Sequence, residues 1–357
     1  MWIHKDFSPY DFPAILKMTQ EEYGADNDIS NMNFLKHQYF ENPAGKAMID
    51  LAVDSDDKTL AGQYVVWPMR FFIDGEVYYC ANSLNTLTRK AYRGQGVFTK
   101  LAENIYRREA EMGHVFCYGM PNPNSYPGFI RKLSFIELGR IPLMLRPLRP
   151  SRMVNEFLHS NMLSAAAKLI DPLFSVKAEK ALDIVKTMPA TRESLELIDL
   201  FWNSVKGKYP VMNVRDSAFI LYRYLDMPRR TYFPYIALQD GKPVCFAVGR
   251  IMEVAGMQCA MLADFLFVDG YEAAAEQLLR KLLHDMQESE ATLAGCLMLE
   301  HTSEMAVLKR LGFFRCPKSL EPQPFPLLVR VFESTYERGS LLELKNWFFT
   351  MGDYDVI

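Results

Sequence analysis

The sequence predicts a mixed α/β protein of two domains, each a mixed, mostly antiparallel sheet flanked by helices. Three observations carry this. The chain has 357 residues, long for a single hydrophobic core. Residues 1–150 read helix, helix, three strands, helix, strand, helix, strand, and the strand–helix–strand step demands a parallel pair beside an antiparallel meander. The region from residue 190 repeats that order without repeating its letters.

Each element has a local reason. SPYDFPAILKMTQEEYG is a helix with Ser8 as cap, Pro9 in the first turn and Gly24 beyond its end. SNMNFLKHQYFENP starts at the cap Ser30 and stops before Pro43. AMIDLAVDS, LAGQYVVWPMRFFI and EVYYCANSLNTLT are strands, the last two joined by the hairpin signal Asp74-Gly75. A long helix spans residues 97–112, with Val97, Leu101, Ile105 and Met112 on one face beside Phe98 and Ala102, and Gly113 after it. HVFCYGM is a short buried strand, residues 126–133 a helix, and ELGRIPLMLRPL a further strand. Residues 151–189 read as a helical linker, its polar residues Lys168 and Asp171 interrupting any long apolar face. Residues 190–357 form the second domain, with an Asp240-Gly241 hairpin signal, the helix YEAAAEQLLRKLLHDMQES, and the aromatic tail NWFFTMGDYDVI docked on the fold.

Composition excludes several classes. The formal net charge is -3, so no basic field marks the chain for nucleic acid. No run of uncharged apolar residues is long enough to span a bilayer, and the N-terminus lacks a secretory pattern. The six cysteines form no CxxC pair and sit in apolar segments, which points to buried thiols in a reducing, cytoplasmic setting. No metal-ligand spacing occurs among the six histidines.

The stretch YRGQGVFTKL carries the functional signal. Gly94 and Gly96 let the backbone approach a ligand and adopt positive φ. The helix that follows begins with amides lacking intrahelical acceptors, at the positive end of its dipole. Arg93 adds a charge. Such a junction suits a phosphate or diphosphate. It lacks both the three-glycine dinucleotide fingerprint and a Walker lysine.

LTRKAYRGQGVFTKLAENIY resembles the acetyl-CoA-binding segment of the GNAT acyltransferase superfamily, whose pattern is Arg/Gln-x-x-Gly-x-Gly/Ala at a strand-to-helix junction. Arg93, Gly96 and Phe98 hold its three defined positions; Phe98 departs from the small residue usual there, so its ring is expected to reshape the loop or cover the adenine side. The resemblance implies two GNAT-like domains. It implies acetyl-CoA held by Arg93, Gly94, Gln95, Gly96, Val97, Phe98 and Thr99, and a thioester oxygen met by the amide of Leu87 or Thr88. In the second domain the equivalent junction, FLFVDGYEAAAEQLL, puts Asp269 where an anion would sit, so that domain is expected not to bind CoA.

The implied reaction is acetyl transfer to a primary amine of a small molecule, an amino sugar being one candidate. The family's usual tyrosine acid is absent: Ile130 and Leu308 hold its positions. Tyr126, one turn earlier, is the substitute acid; Asn85 on the core strand and Asp264 in MLADFLFV complete the candidate catalytic set. In MPNPNSYPGF, Asn122 and Asn124 either hold the acceptor or pantetheine, or cap the helix. Cys117 reads as core, His301 as a loop histidine, and the tail residues Asp353, Tyr354 and Asp355 as possible neighbours of a cationic amine. Two alternatives stay open: Fem-type aminoacyl transfer, and a CoA-binding or scaffold protein without catalysis.

Overall fold

The computed structural model describes residues 1–158, 161–176, 185–332 and 339–354. In chain order the strands are β1 (Trp2–Asp6), β2 (Met48–Asp54), β3 (Leu60–Ile73), β4 (Glu76–Thr88), β5 (Phe116–Gly119), β6 (Ile136–Arg140), β7 (Leu143–Pro147) and β8 (Lys186–Pro189). They continue as β9 (Val211–Asn213), β10 (Tyr232–Gln239), β11 (Lys242–Val254), β12 (Met257–Phe267), β13 (Leu293–Leu297), β14 (Phe314–Arg315), β15 (Pro326–Val331) and β16 (Trp347–Phe348). The first helices are α1 (Phe12–Tyr23), α2 (Met32–Phe40), α3 (Val97–Glu111) and α4 (Tyr126–Lys132). The later ones are α5 (Pro150–Leu158), α6 (Asn161–Ala167), α7 (Asp171–Phe174), α8 (Leu195–Val205), α9 (Ser217–Ile220), α10 (Glu272–Glu288) and α11 (Ser303–Arg310).

Unit 1 comprises residues 1–140, 227–229 and 323–346. Its sheet runs β1-β2-β3-β4-β5-β15-β6. The first four strands pair antiparallel, β4 and β5 pair parallel across the α3 crossover, and β15 pairs antiparallel with both β5 and β6. Asp74 and Gly75 take φ +47° and +107°, the left-handed pair that a tight hairpin needs. Helix α3 buries Val97, Leu101, Ala102, Ile105 and Tyr106 against the sheet. Met112, expected on that face, is exposed because the helix ends one residue earlier and Gly113 turns the chain at φ +81°.

Unit 2 comprises residues 141–226, 230–322 and 347–357. Its sheet runs β14-β7-β13-β12-β11-β10-β8. The order matches that of unit 1 position by position, with β12 and β13 as the parallel pair. Helices α5, α6 and α7 and strand β8 belong to this unit.

Two strands differ from the sequence expectation. ELGRIPLMLRPL is two strands, broken at Ile141-Pro142, where proline cannot donate to a ladder. Its first half stays in unit 1 and its second half enters the sheet of unit 2. In return β15, near the C-terminus, fills the gap between β5 and β6 in unit 1. On these two paths β15 and β7 are thus the inner strands that come from the other half of the chain. Leu328 on β15 is fully buried in the core beneath α3. Leu328→Ala is expected to destabilise unit 1 by about 2–5 kcal/mol, read as a lower urea midpoint; an unchanged midpoint would show that β15 is not integral to this sheet.

Candidate active site

The candidate site begins where β4 leaves β5. The two strands pair only at Ala81↔Cys117 and Asn82↔Tyr118. Beyond those rungs β4 continues to Thr88 while β5 ends at Gly119. A bulge helps to drive the departure. Gln63 pairs with Leu87 and Val65 with Leu84, so Asn85 and Thr86 together oppose Tyr64. Asn85 takes φ +46°, which asparagine tolerates better than most residues. Its side-chain amide donates to Gln38 Oε1 at 2.7 Å and Tyr39 Oη at 3.1 Å, and its carbonyl accepts from Gln63 Nε2 at 2.7 Å. Asn85 is therefore anchored to α2. Ser83, Thr86 and Thr88 remain half-exposed along the diverging strand, and Leu84 and Leu87 are buried.

The loop after β4 is braced on several sides. Arg89 Nε donates to the Leu60 carbonyl at 2.7 Å, and its guanidinium pairs with Glu21. Tyr92 Oη donates to Asp54 at 2.7 Å, a bond that raises the phenol pKa and lowers that of the carboxyl. Trp2 Nε1 donates to the Gln95 carbonyl at 3.1 Å, and Gln95 Nε2 to that of Ala91 at 2.9 Å. Arg93 is part of this bracing: Nε donates to the Thr88 carbonyl at 3.0 Å and Nη2 pairs with Glu22 on α1 at 3.0 Å.

The braced loop presents bare backbone. Gly94 and Gly96 lie at φ +81° and +80°, with no atom within 4 Å of where a Cβ would project, so conformation and not crowding demands glycine. Gly96 is the N-cap of α3, and the first helical bond runs from Lys100 N to its carbonyl at 3.0 Å. Among the described residues no protein group accepts from the amides of Gly94, Gly96, Val97, Phe98 or Thr99. Residues 93–96 are exposed. These donors converge at the positive end of a four-turn helix, the arrangement that binds anions.

Phe98 points inward. Its ring packs edge-on against Tyr64 and Phe129, with centroids 5.6 and 5.5 Å away. Gly128 on α4 makes room for it: a Cβ there would lie 2.9 Å from Phe98 Cε1. Under this aromatic layer, Ser83 Oγ donates to Tyr64 Oη at 2.8 Å, and Tyr64 shares a hydrogen bond with Tyr106. Burial raises both phenols. Cys117 lies in the same core, its thiol pushed well up by burial and so unreactive as a nucleophile.

At the start of α4, Asn122 Oδ1 accepts from the amides of Asn124 and Ser125, both at 3.0 Å, so its oxygen serves the turn. Asn124 is exposed. Tyr126 Oη donates to Glu137 on β6, and this bond is the main cause of its raised pKa, with burial second. Glu137 was not visible as a partner in the sequence, where it is one carboxylate in a mixed strand. Ile130 packs half-buried on the unit 1 core.

Asp264 belongs to unit 2. It lies fully buried in unit 2, where Arg215 Nε reaches both its oxygens at 3.1 and 2.9 Å. Tyr224 Oη and Thr350 Oγ1 donate to it at 3.1 Å each. Arg215 also pairs with Asp353 at 2.7 Å. Asp264 thus belongs to a closed ion network that locks the buried tail residues Trp347, Phe348, Phe349 and Asp353 onto unit 2. Asp355 lies outside the described residues. His301 Nε2 is 2.9 Å from the Trp347 carbonyl and also serves the tail. In unit 2 the strand past the parallel rungs, residues 262–267, is entirely buried, and Gly352 sits so close that a Cβ would lie 3.3 Å from the Ala263 carbonyl. Asp269, at the second junction, pairs with Lys208 at 2.9 Å.

For metals, the described residues offer one close group, His4, Asp6 and Asp50. Arg108 and Asn104 both bind Asp50, which already supplies it with a cation. No described helix is long and apolar enough to cross a membrane.

Gly128→Ala is expected to cost about 1–3 kcal/mol through collision with Phe98. Combining it with Phe98→Leu should recover part of that loss, read as non-additive shifts in the urea midpoint; strictly additive shifts would show that the two residues do not share this space.

Comparison with known proteins agrees with this geometry. Residues 8–136 match the family model of the acetyltransferase (GNAT) domain. No curated protein matches the chain. Among solved structures, a GCN5-related N-acetyltransferase from Anabaena variabilis ATCC 29413 is similar at 11% identity and TM-score 0.63, over 93% of this chain and 73% of that one. A probable N-acyltransferase from Enterococcus faecalis V583 is similar at 10% identity and TM-score 0.61, over 93% of this chain and 73% of that one. Saccharomyces cerevisiae N-myristoyltransferase with bound myristoyl-CoA is similar at 10% identity and TM-score 0.62, over 92% of this chain and 79% of that one. At such identities the likeness is one of fold. Residues 8–136 thus match a GNAT-type acetyltransferase domain, and the rest of the chain adds a second sheet of the same strand order.

Proposed function

We propose that unit 1 binds acetyl-CoA and transfers its acetyl group to a primary amine of a small molecule, with amino sugars the first class to screen. The observation that carries this is the row of amides with no acceptor among the described residues, at Gly94 and Gly96 in an exposed, braced loop and at Val97, Phe98 and Thr99 in the first turn of α3. A diphosphate accepts from several such donors at once and is favoured by the helix dipole. The pantetheine arm then follows the open edge of β4 from Thr88 toward Ser83, where the strands part. The amide of Leu87 or Thr88 meets the thioester oxygen as it gains charge.

In this reading the amine nitrogen forms the new C–N bond as the C–S bond breaks, Tyr126 gives its proton to the departing thiolate, and the proton shed by the amine passes to water, from which Tyr126 is reprotonated. Its hydrogen bond to Glu137 raises its pKa above that of a free phenol, which is itself protonated at neutral pH. Arg93 and Asn85 act through the backbone they hold: Arg93 positions the loop and Asn85 the bulge. Asn124 is left to face the acceptor. Unit 2 holds no second CoA, because its diverging strand is covered by residues of its own tail and Asp269 sits at its junction. One observation favours a competing reading, a CoA-binding protein without turnover: Ile130 stands where the resemblance expects a tyrosine.

Calorimetry with acetyl-CoA tests the site. Gly96→Asp places a carboxylate beside the diphosphate and forces a side chain into left-handed backbone, a strain of about 1–2 kcal/mol. The affinity should fall by at least about tenfold; equal affinity would remove the assignment. Thiol release with a panel of amines tests the chemistry. Tyr126→Phe should lower kcat by at least about tenfold while leaving acetyl-CoA affinity intact. Binding without thiol release for every amine would instead support the non-catalytic reading.

A further inference from the structure

An arginine recurs at one place in both sheets, with opposite outcomes. In unit 1, β15 lies between β5 and β6, and its Arg330 stands opposite Cys117 of β5. Arg330 Nη1 donates to the carbonyl of Leu133, the C-cap of α4, at 2.7 Å. Its guanidinium carbon lies 4.9 Å from the centroid of the Tyr106 ring on α3. In unit 2, β7 holds the matching place between β13 and β14, and its Arg146 stands opposite Ala294 of β13. Arg146 reaches the matching helix end. Gly312 follows Leu311, the C-cap of α11, and a Cβ on Gly312 would lie 3.8 Å from Arg146 Nε.

Arg146 lacks what Arg330 has. Among the described residues no group accepts from its guanidinium, and Nη1 is buried without a partner. In place of an aromatic ring, the crossover helix α10 brings Arg280, a like charge. Burial first, and Arg280 second, push the Arg146 pKa down to about 10, so the side chain is still cationic at neutral pH. A buried donor left without an acceptor is costly. Nearby acid does not relieve it. Glu276 is occupied on both oxygens, by Arg280 Nη2 at 2.9 Å and Arg310 Nε at 3.4 Å. Three guanidiniums therefore meet one carboxylate. Arg146 is half-buried, and its Nε lies on the side of the exposed Gly312 turn.

We infer that Arg146, with Arg280 and Arg310 beside it, binds a phosphate group at the C-terminal turn of α11. Guanidinium forks match phosphate oxygens in pairs, and a phosphate supplies the negative charge that the three arginines lack. The negative end of α11 opposes an anion by about half a charge at most. Its last carbonyls, those of Val307, Leu308 and Lys309, already accept from the amides of Leu311, Phe313 and Gly312. Three cations against one carboxylate outweigh that term. The site lies in unit 2 and does not depend on the acyl-CoA assignment in unit 1.

Two measurements on the full chain test this, both at constant ionic strength with chloride as the reference anion. In NMR, the Arg146 Nε–Hε resonance should shift saturably as inorganic phosphate replaces chloride. In thermal melting, phosphate should raise the midpoint by mass action. Arg146→Met should abolish the specific part of that rise, and Arg280→Gln should weaken binding by about fivefold or more. Glycerol 3-phosphate is the second probe. A tighter response to it than to inorganic phosphate identifies a phosphorylated small molecule as the source, and the reverse identifies free phosphate. The inference is overturned if the Arg146 resonance does not saturate with either probe, or if phosphate raises the midpoints of the parent and of Arg146→Met equally. Should Arg146→Met fail to fold, the resonance of the parent decides alone.

Discussion

Strands β4 and β5 share two rungs and then part. Most of what the candidate site can do depends on that separation. A parallel pair continued to Gly119 and beyond would consume the edge of β4 and leave nothing for a ligand to follow. The separation is stabilised from both sides. The Asn85–Thr86 bulge shifts β4 against β3, and the Asn85 side chain fastens the bulge to α2 through Gln38 and Tyr39. The aromatic layer of Phe98, Phe129 and Tyr64 fills the space on the α3 side. Gly128 is the residue whose lack of a side chain makes that filling fit.

The loop that follows inherits its rigidity from the same region. Arg89, Arg93 and Tyr92 each bind a carboxylate, on α1 or at the end of β2, while Trp2 holds the Gln95 carbonyl from β1. These surface pairs are individually weak. Their joint effect is to hold a loop in which, among the described residues, the amides of Gly94 and Gly96 have no acceptors. Such pre-organisation lowers the ordering cost of binding an anion. Unit 2 repeats the strand order and reaches the opposite result. There the Arg215–Asp264–Asp353 network draws the tail over the diverging strand. A buried charge trio of this kind is costly to break, so the closure is a stable feature of the fold.

Local chemistry was legible in the sequence and long-range pairing was not. Asp74-Gly75, the cap Ser8, the Gly96 junction and the face of α3 from Val97 to Tyr106 all follow from neighbours within a few residues. The placement of β15 between β5 and β6, and of β7 beside β13, did not, because an apolar strand carries no label naming its partner. The fate of Asp264 was hidden for a similar reason. A carboxylate in an apolar strand signals only that a partner exists, and that partner, Arg215, lies 49 residues away. Phe98 looked like an obstacle to the ligand because Gly128, which receives it, is 30 positions on and unremarkable by itself. Tyr126 stood out in the sequence, and its carboxylate Glu137 did not.

In the proposed function, bare amides at the start of α3 grip the diphosphate of a CoA ester. Backbone amide NMR of the ¹⁵N-labelled chain, titrated with acetyl-CoA, addresses those nitrogens directly. The largest shifts are expected on Gly94, Gly96, Val97, Phe98 and Thr99, with smaller ones along β4 toward Ser83. Shifts confined to unit 2, or none at residues 94–99 under saturating ligand, would contradict it.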